Sequence, residues 1–152
     1  MLKDELVGAW KLVSLENVQP DGRRNHPFGI HLLGRLMYDA QGNMSVQLMR
    51  RDRAPFESPD PLASQAEETK AAMDGSAVYF GTYSVDEETR VVSHAIEGSL
   101  FPNWTGSVQR RHALVEGEKL SLRTEPMSIG GSSAVMVLTW RRVGPSPQAP
   151  SR

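Results

Sequence analysis

Nearly every apolar run in this chain reads as a short strand that ends at a turn signal. The runs cover 6–15, 33–38, 43–50, 77–85, 90–97, 107–115, 119–124 and 133–143. They alternate polar with Val, Ile, Leu, Tyr and Trp, residues that suit a pleated, half-buried surface. Several connections are tight: Asp39-Ala40-Gln41-Gly42, Asp86-Glu87-Glu88-Thr89 and Glu116-Gly117-Glu118. Gly42 supplies the positive φ that a hairpin turn needs. Two stretches are irregular. Residues 16–31 hold the turns Pro20-Asp21-Gly22 and Pro27-Phe28-Gly29, and residues 52–61 hold three prolines. One helix is predicted over 64–74, with Ser64 as its cap, Glu67 three residues on and Gly75 at its end. Eight consecutive strands with short links predict an all-β chain, an antiparallel up-and-down barrel with one short α-helix. Closure removes the exposed edges of a sheet, and eight strands leave room for one small ligand.

A length of 152 residues suits one domain, placed at 1–143, with the Pro/Ser-rich 144–152 expected to be a disordered tail. The absence of cysteine excludes disulfides, zinc–thiolate sites and a cysteine nucleophile. A net charge of −1 gives no basic excess for nucleic acid. No apolar stretch is long enough for a membrane helix, and the first residues lack the apolar core of a secretory signal, so a cytoplasmic location is expected. The four histidines, His26, His31, His94 and His112, show no short-spaced pair, so no metal site is expected, nor any cofactor. The oligomeric state stays open, a homodimer included.

Strand parity sorts the residues by face. Trp10 and Leu12 share one face. So do Tyr79, Gly81, Tyr83 and Val85, then His94 and Ile96, then Gln109, Arg111 and Ala113, and finally Leu138, Trp140 and Arg142. Inward-facing Tyr, His, Gln and Arg need partners, and a polar patch in a cavity is one way to supply them. His94 is the candidate acid or base, or else a hydrogen-bonding wall residue. Arg111 with Gln109 could clamp an oxygen of a ligand or pair with Glu97. Tyr79 and Tyr83 could donate to a ligand oxygen. His112 falls on the outer parity.

The run Glu97-Gly98-Ser99-Leu100-Phe101-Pro102-Asn103-Trp104-Thr105-Gly106 is too apolar for a solvent loop and too broken for a strand. It suits the mouth of a cavity, with Phe101 and Trp104 as a lid. Together with Gly8-Ala9-Trp10, the hairpin from Gly34 to Arg50, Tyr79 to Tyr83 and Trp140-Arg141-Arg142, it makes the chain resemble the lipocalin-like domain family. The resemblance implies a calycin-type barrel. It also implies that Arg142, or failing that Arg141, packs on Trp10 and closes one end as a structural pair. Secreted lipocalins often carry a disulfide, which this chain lacks. Two functions follow. The barrel binds a small, mostly apolar molecule with oxygen functions, through Tyr79, Tyr83, His94, Phe101, Trp104, Gln109 and Arg111. Alternatively it is a cofactor-free cyclase or isomerase on a polyketide-like or terpenoid intermediate, with His94 and Arg111 catalytic.

Overall fold

The computed structural model describes residues 1–144; of the tail expected over 144–152, residues 145–152 lie outside the described residues. The chain runs α1 (Leu2–Leu6), β1 (Gly8–Val18), β2 (Arg24–Asn25), β3 (Leu32–Tyr38), β4 (Asn43–Arg50), α2 (Ala66–Asp74), β5 (Ser76–Asp86) and β6 (Val91–Ser99). It continues through β7 (Val108–Glu116), β8 (Lys119–Thr124), β9 (Met127–Ile129) and β10 (Ser132–Arg142), with a single 3₁₀ turn at Pro102–Trp104 between β6 and β7. Neighbours pair in the order β2-β1-β3-β4-β5-β6-β7-β8-β10-β9, and β1 also pairs with β10. That last pairing closes an eight-stranded antiparallel barrel. The two-residue β2 and three-residue β9 are flaps on one rim.

The core follows from period-two alternation. Leu36 and Tyr38 on β3, Met44, Val46 and Leu48 on β4, and Leu120 and Leu122 on β8 all face inward and are buried. Two irregularities bend the wall. On β1 the pairing jumps from Leu12↔Trp140 to Ser14↔Thr139. Val13 turns outward, 55% exposed, and the inward set shifts from Trp10 and Leu12 to Leu15. On the β5–β6 pair, Phe80 faces Gly98 while Gly81 faces Ile96, so Glu97 is the extra residue of a bulge. Glycine is required at Gly81, because a Cβ there would sit 1.9 Å from the Ala95 carbonyl oxygen.

One end of the barrel is plugged. Trp10 is fully buried and its indole N–H donates to the Leu6 carbonyl at 2.9 Å. The Arg142 guanidinium lies 4.2 Å from the Trp10 ring centroid and donates to the Val7 carbonyl at 3.1 Å. The Glu87 carboxylate accepts from the first backbone N–H groups of α1, at 2.8 Å from Leu2 and 3.1 Å from Lys3, so a loop distant in sequence caps that helix.

The predicted helix exists but starts later. Its cap is Gln65 rather than Ser64, and the reciprocal partner is Glu68 rather than Glu67, which accepts from the Gln65 N–H at 3.2 Å. α1, β2 and β9 were not expected from the sequence. Among the described residues no helix is long and apolar enough to cross a membrane.

Candidate functional site

The end opposite Trp10 is open. The inner cavity has a volume of about 70 Å³. It leads into an outer cup of about 840 Å³. Phe28, Ala77, Trp104 and Ile129 line both spaces and so form the throat. The rim is built from the chain after β2, the end of α2, the Phe101–Trp104 turn and the β9–β10 connection.

The cavity walls are mostly aliphatic: Leu15, Leu36, Val46, Leu48, Leu122 and Leu138 among them. A polar cluster is set into this surface from β3, β5, β6 and β7. His94 is 2% exposed. Its Nδ1 lies 2.7 Å from the Tyr79 hydroxyl and its Nε2 lies 2.7 Å from the Tyr38 hydroxyl. A neutral imidazole has one donor and one acceptor nitrogen, so one tyrosine donates to the ring and the other accepts from it. Burial, reinforced by the nearby Arg111 charge, pulls His94 from 6.5 down to about 3, and it is neutral at neutral pH. Burial pushes the Tyr38 and Tyr79 phenols up, with the Arg111 charge opposing both rises.

Arg111 is 9% exposed. Its guanidinium donates to the Arg110 carbonyl at 2.9 Å and leans on the Gln109 side-chain oxygen at 3.4 Å. Among the described residues no carboxylate pairs with it. Glu97, the partner suggested by sequence, is exposed on the outside of the β6 bulge. Thr124 presents a hydroxyl whose oxygen accepts the Met136 N–H at 3.0 Å. The Trp140 indole N–H, also at the cavity, is buried without a partner. The site is therefore an apolar pocket with one buried cation and several hydrogen-bond donors. It has the size and chemistry to grip the oxygen-bearing end of a small molecule.

The model of the lipocalin-like domain matches residues 7–143. The chain belongs to the lipocalin-like domain family. It is also 35% identical over 107 residues to a protein of Aspergillus oryzae (strain ATCC 42149 / RIB 40) named 4'-hydroxy-3'-methoxypropiophenone carrier protein ppsC; the match covers 66% of this chain and 96% of that one.

In this lipocalin-like protein Tyr79, His94 and Arg111 line one cavity, and Trp104, from the apolar run after β6, stands at its throat. Trp104 packs edge-on against both Tyr79, with ring centroids 6.1 Å apart, and Phe101, at 5.3 Å. Phe101 reaches only the outer cup. Gln109 stands behind Arg111 and props its guanidinium. Tyr83 shares the inner face but not the cavity. It lies towards the plugged end, its ring 4.6 Å from Tyr38 and its hydroxyl donating to the Asp39 carbonyl at 2.6 Å. His112 is exposed. Tyr38, Thr124 and the indole of Trp140 are the members of the site that sequence reasoning missed.

Proposed function

We propose that this lipocalin-like protein is a carrier that takes a small, mostly apolar molecule with oxygen functions into the barrel. The observation that carries this reading is the apolar cavity, open at one end, with polar groups concentrated at His94, Tyr79 and Arg111. The Aspergillus relative's name points to an aryl ketone with a phenolic hydroxyl, and a molecule of that class has the required features. Its oxygen-bearing end would fill the inner cavity, with the remainder in the throat between Trp104 and Ile129.

The alternative reading, a cofactor-free cyclase or isomerase in the same cavity, draws on the same side chains. A base works best when its pKa lies near the working pH. His94, held at about 3 with both ring nitrogens engaged, is poorly matched to that task. This weighs towards carriage.

Ala77 offers a direct test. It faces inward on β5 at the throat, where a larger side chain obstructs entry. Calorimetric titration with 4'-hydroxy-3'-methoxypropiophenone should show saturable, one-to-one binding. Ala77→Phe should weaken it at least tenfold while the protein melts near the parent's temperature. Equal affinity in a folded Ala77→Phe would place binding outside the barrel.

A further inference from the structure

The proton inventory of the polar cluster is one-sided. Tyr38 is 2% exposed, does not line the cavity, and has His94 as its side chain's hydrogen-bond partner. If Tyr38 accepted from His94, its own O–H would be buried with nothing to receive it, which is costly. The lower-energy arrangement has Tyr38 donating to Nε2 and His94 donating from Nδ1 to the Tyr79 oxygen. The Tyr79 O–H is then unspent, and Tyr79 lines the cavity. The guanidinium of Arg111, always charged, faces the same space without a carboxylate. The buried N–H of Trp140 also lacks an acceptor. Around the inner cavity the groups without a partner are therefore donors, and the charge among them is positive; Asn17 Oδ1, an acceptor without a partner, belongs to the outer cup.

A cation held in apolar surroundings is costly unless an anion answers it. Tyr38 on β3, Tyr79 on β5 and His94 on β6 are the titratable groups facing Arg111, and all three are neutral at neutral pH. The other elements at the cavity bring only uncharged side chains to it. No side chain lining the described pocket sets a negative charge against Arg111.

We propose that the ligand is bound as an oxyanion, either a hydroxyl acidified by conjugation to a carbonyl or a carboxylate, seated on Arg111 and the Tyr79 hydroxyl with its apolar body along the cavity. This rests on the carrier reading and adds the ionisation state to it. Selectivity follows. An ionised phenol is gripped, and its methyl ether, equally apolar and nearly the same shape, is not.

Three probes test it: 4'-hydroxy-3'-methoxypropiophenone, its 4'-O-methyl ether, and 4-methoxybenzoate as the carboxylate. Ionisation of a para-acyl phenol moves its absorption to longer wavelength, so its protonation can be read while bound. The phenol is expected to ionise at least one pH unit lower on the protein than free. Its affinity should rise about tenfold per pH unit between the bound and free pKa values and stay level above them. Above its free pKa the phenol should bind at least tenfold more tightly than the ether. Arg111→Met should abolish both the pKa drop and the preference. Arg111-dependent binding of the benzoate with an unshifted phenol would support the inference with a carboxylate as the natural group. Equal binding of phenol and ether, with no benzoate binding, overturns the inference and leaves the carrier reading standing. Binding of none of the three, ether included, defeats both. The wild-type titration decides the matter even if Arg111→Met does not fold.

Discussion

Acidification from pH 6.5 to about 3 should remove roughly 3–5 kcal/mol of folding stability through His94 alone. In the unfolded chain the imidazole takes a proton near 6.5, while in the folded protein it resists until about 3. Between those values the unfolded state carries the extra proton, so falling pH favours unfolding by up to ~1.4 kcal/mol per unit. The contribution is fully present above 6.5 and lost progressively on the way down. Asp39, Asp52, Asp86 and Glu87 are also held below their usual values, by hydrogen bonds, but they lose their contribution only in more acid solution. The window from 6.5 to about 4.5 therefore reports mainly on His94. Urea unfolding at half-unit steps across that window should show the slope in the parent, and His94→Gln should flatten it. A parent whose stability does not change there would contradict a buried neutral imidazole between Tyr38 and Tyr79.

The second large effect sits at the plugged end. Trp10→Ala should cost about 3–5 kcal/mol, the usual range for emptying a buried aromatic site. The ring is fully buried, is bonded to Leu6 and supports the Arg142 guanidinium on its face. Its loss frees the cation, unseats α1 and leaves a void under the β1–β10 seam. In a domain of this size that corresponds to a fall in melting temperature of roughly 10 °C or more. Arg142→Met, which keeps much of the stem but loses the contacts to Trp10 and Val7, should fall by less. If Trp10→Ala melts within about 2 °C of the parent, Trp10 is not what closes the barrel.

The parts legible in the sequence are those that local alternation controls. β3, β4 and β8 alternate without interruption, so their ends and faces can be read closely. The inward faces of β5, β6 and β7 are equally clear, which is why Tyr79, His94 and Arg111 group together from the sequence alone. Parity gives a face and says nothing of depth, so it places Tyr83 inside the barrel but not below the cavity floor. Tyr38 looks like any aromatic before a turn. Its meaning comes from His94, 56 residues away. The cap of α1 is likewise remote, on Glu87, and a five-residue helix has no periodic signal of its own. The start of α2 is hidden because Ser64 is a better cap by type than Gln65, whereas Glu68 and Glu57 hold the glutamine in place. Glu97 lies on the opposite parity from His94 and Ile96, so alternation alone already turns it away from Arg111.

On the carrier proposal a small oxygen-bearing molecule occupies the barrel and meets Arg111 there. A crystal structure of the protein grown with 4'-hydroxy-3'-methoxypropiophenone tests it most directly. The ligand is expected between the Trp104 throat and the Tyr79–His94 cluster, with one oxygen about 2.7–3.0 Å from both the Arg111 guanidinium and the Tyr79 hydroxyl. A ligand held on the outer surface of the sheet, or with its apolar end against Arg111 and its oxygens in the outer cup, would contradict it.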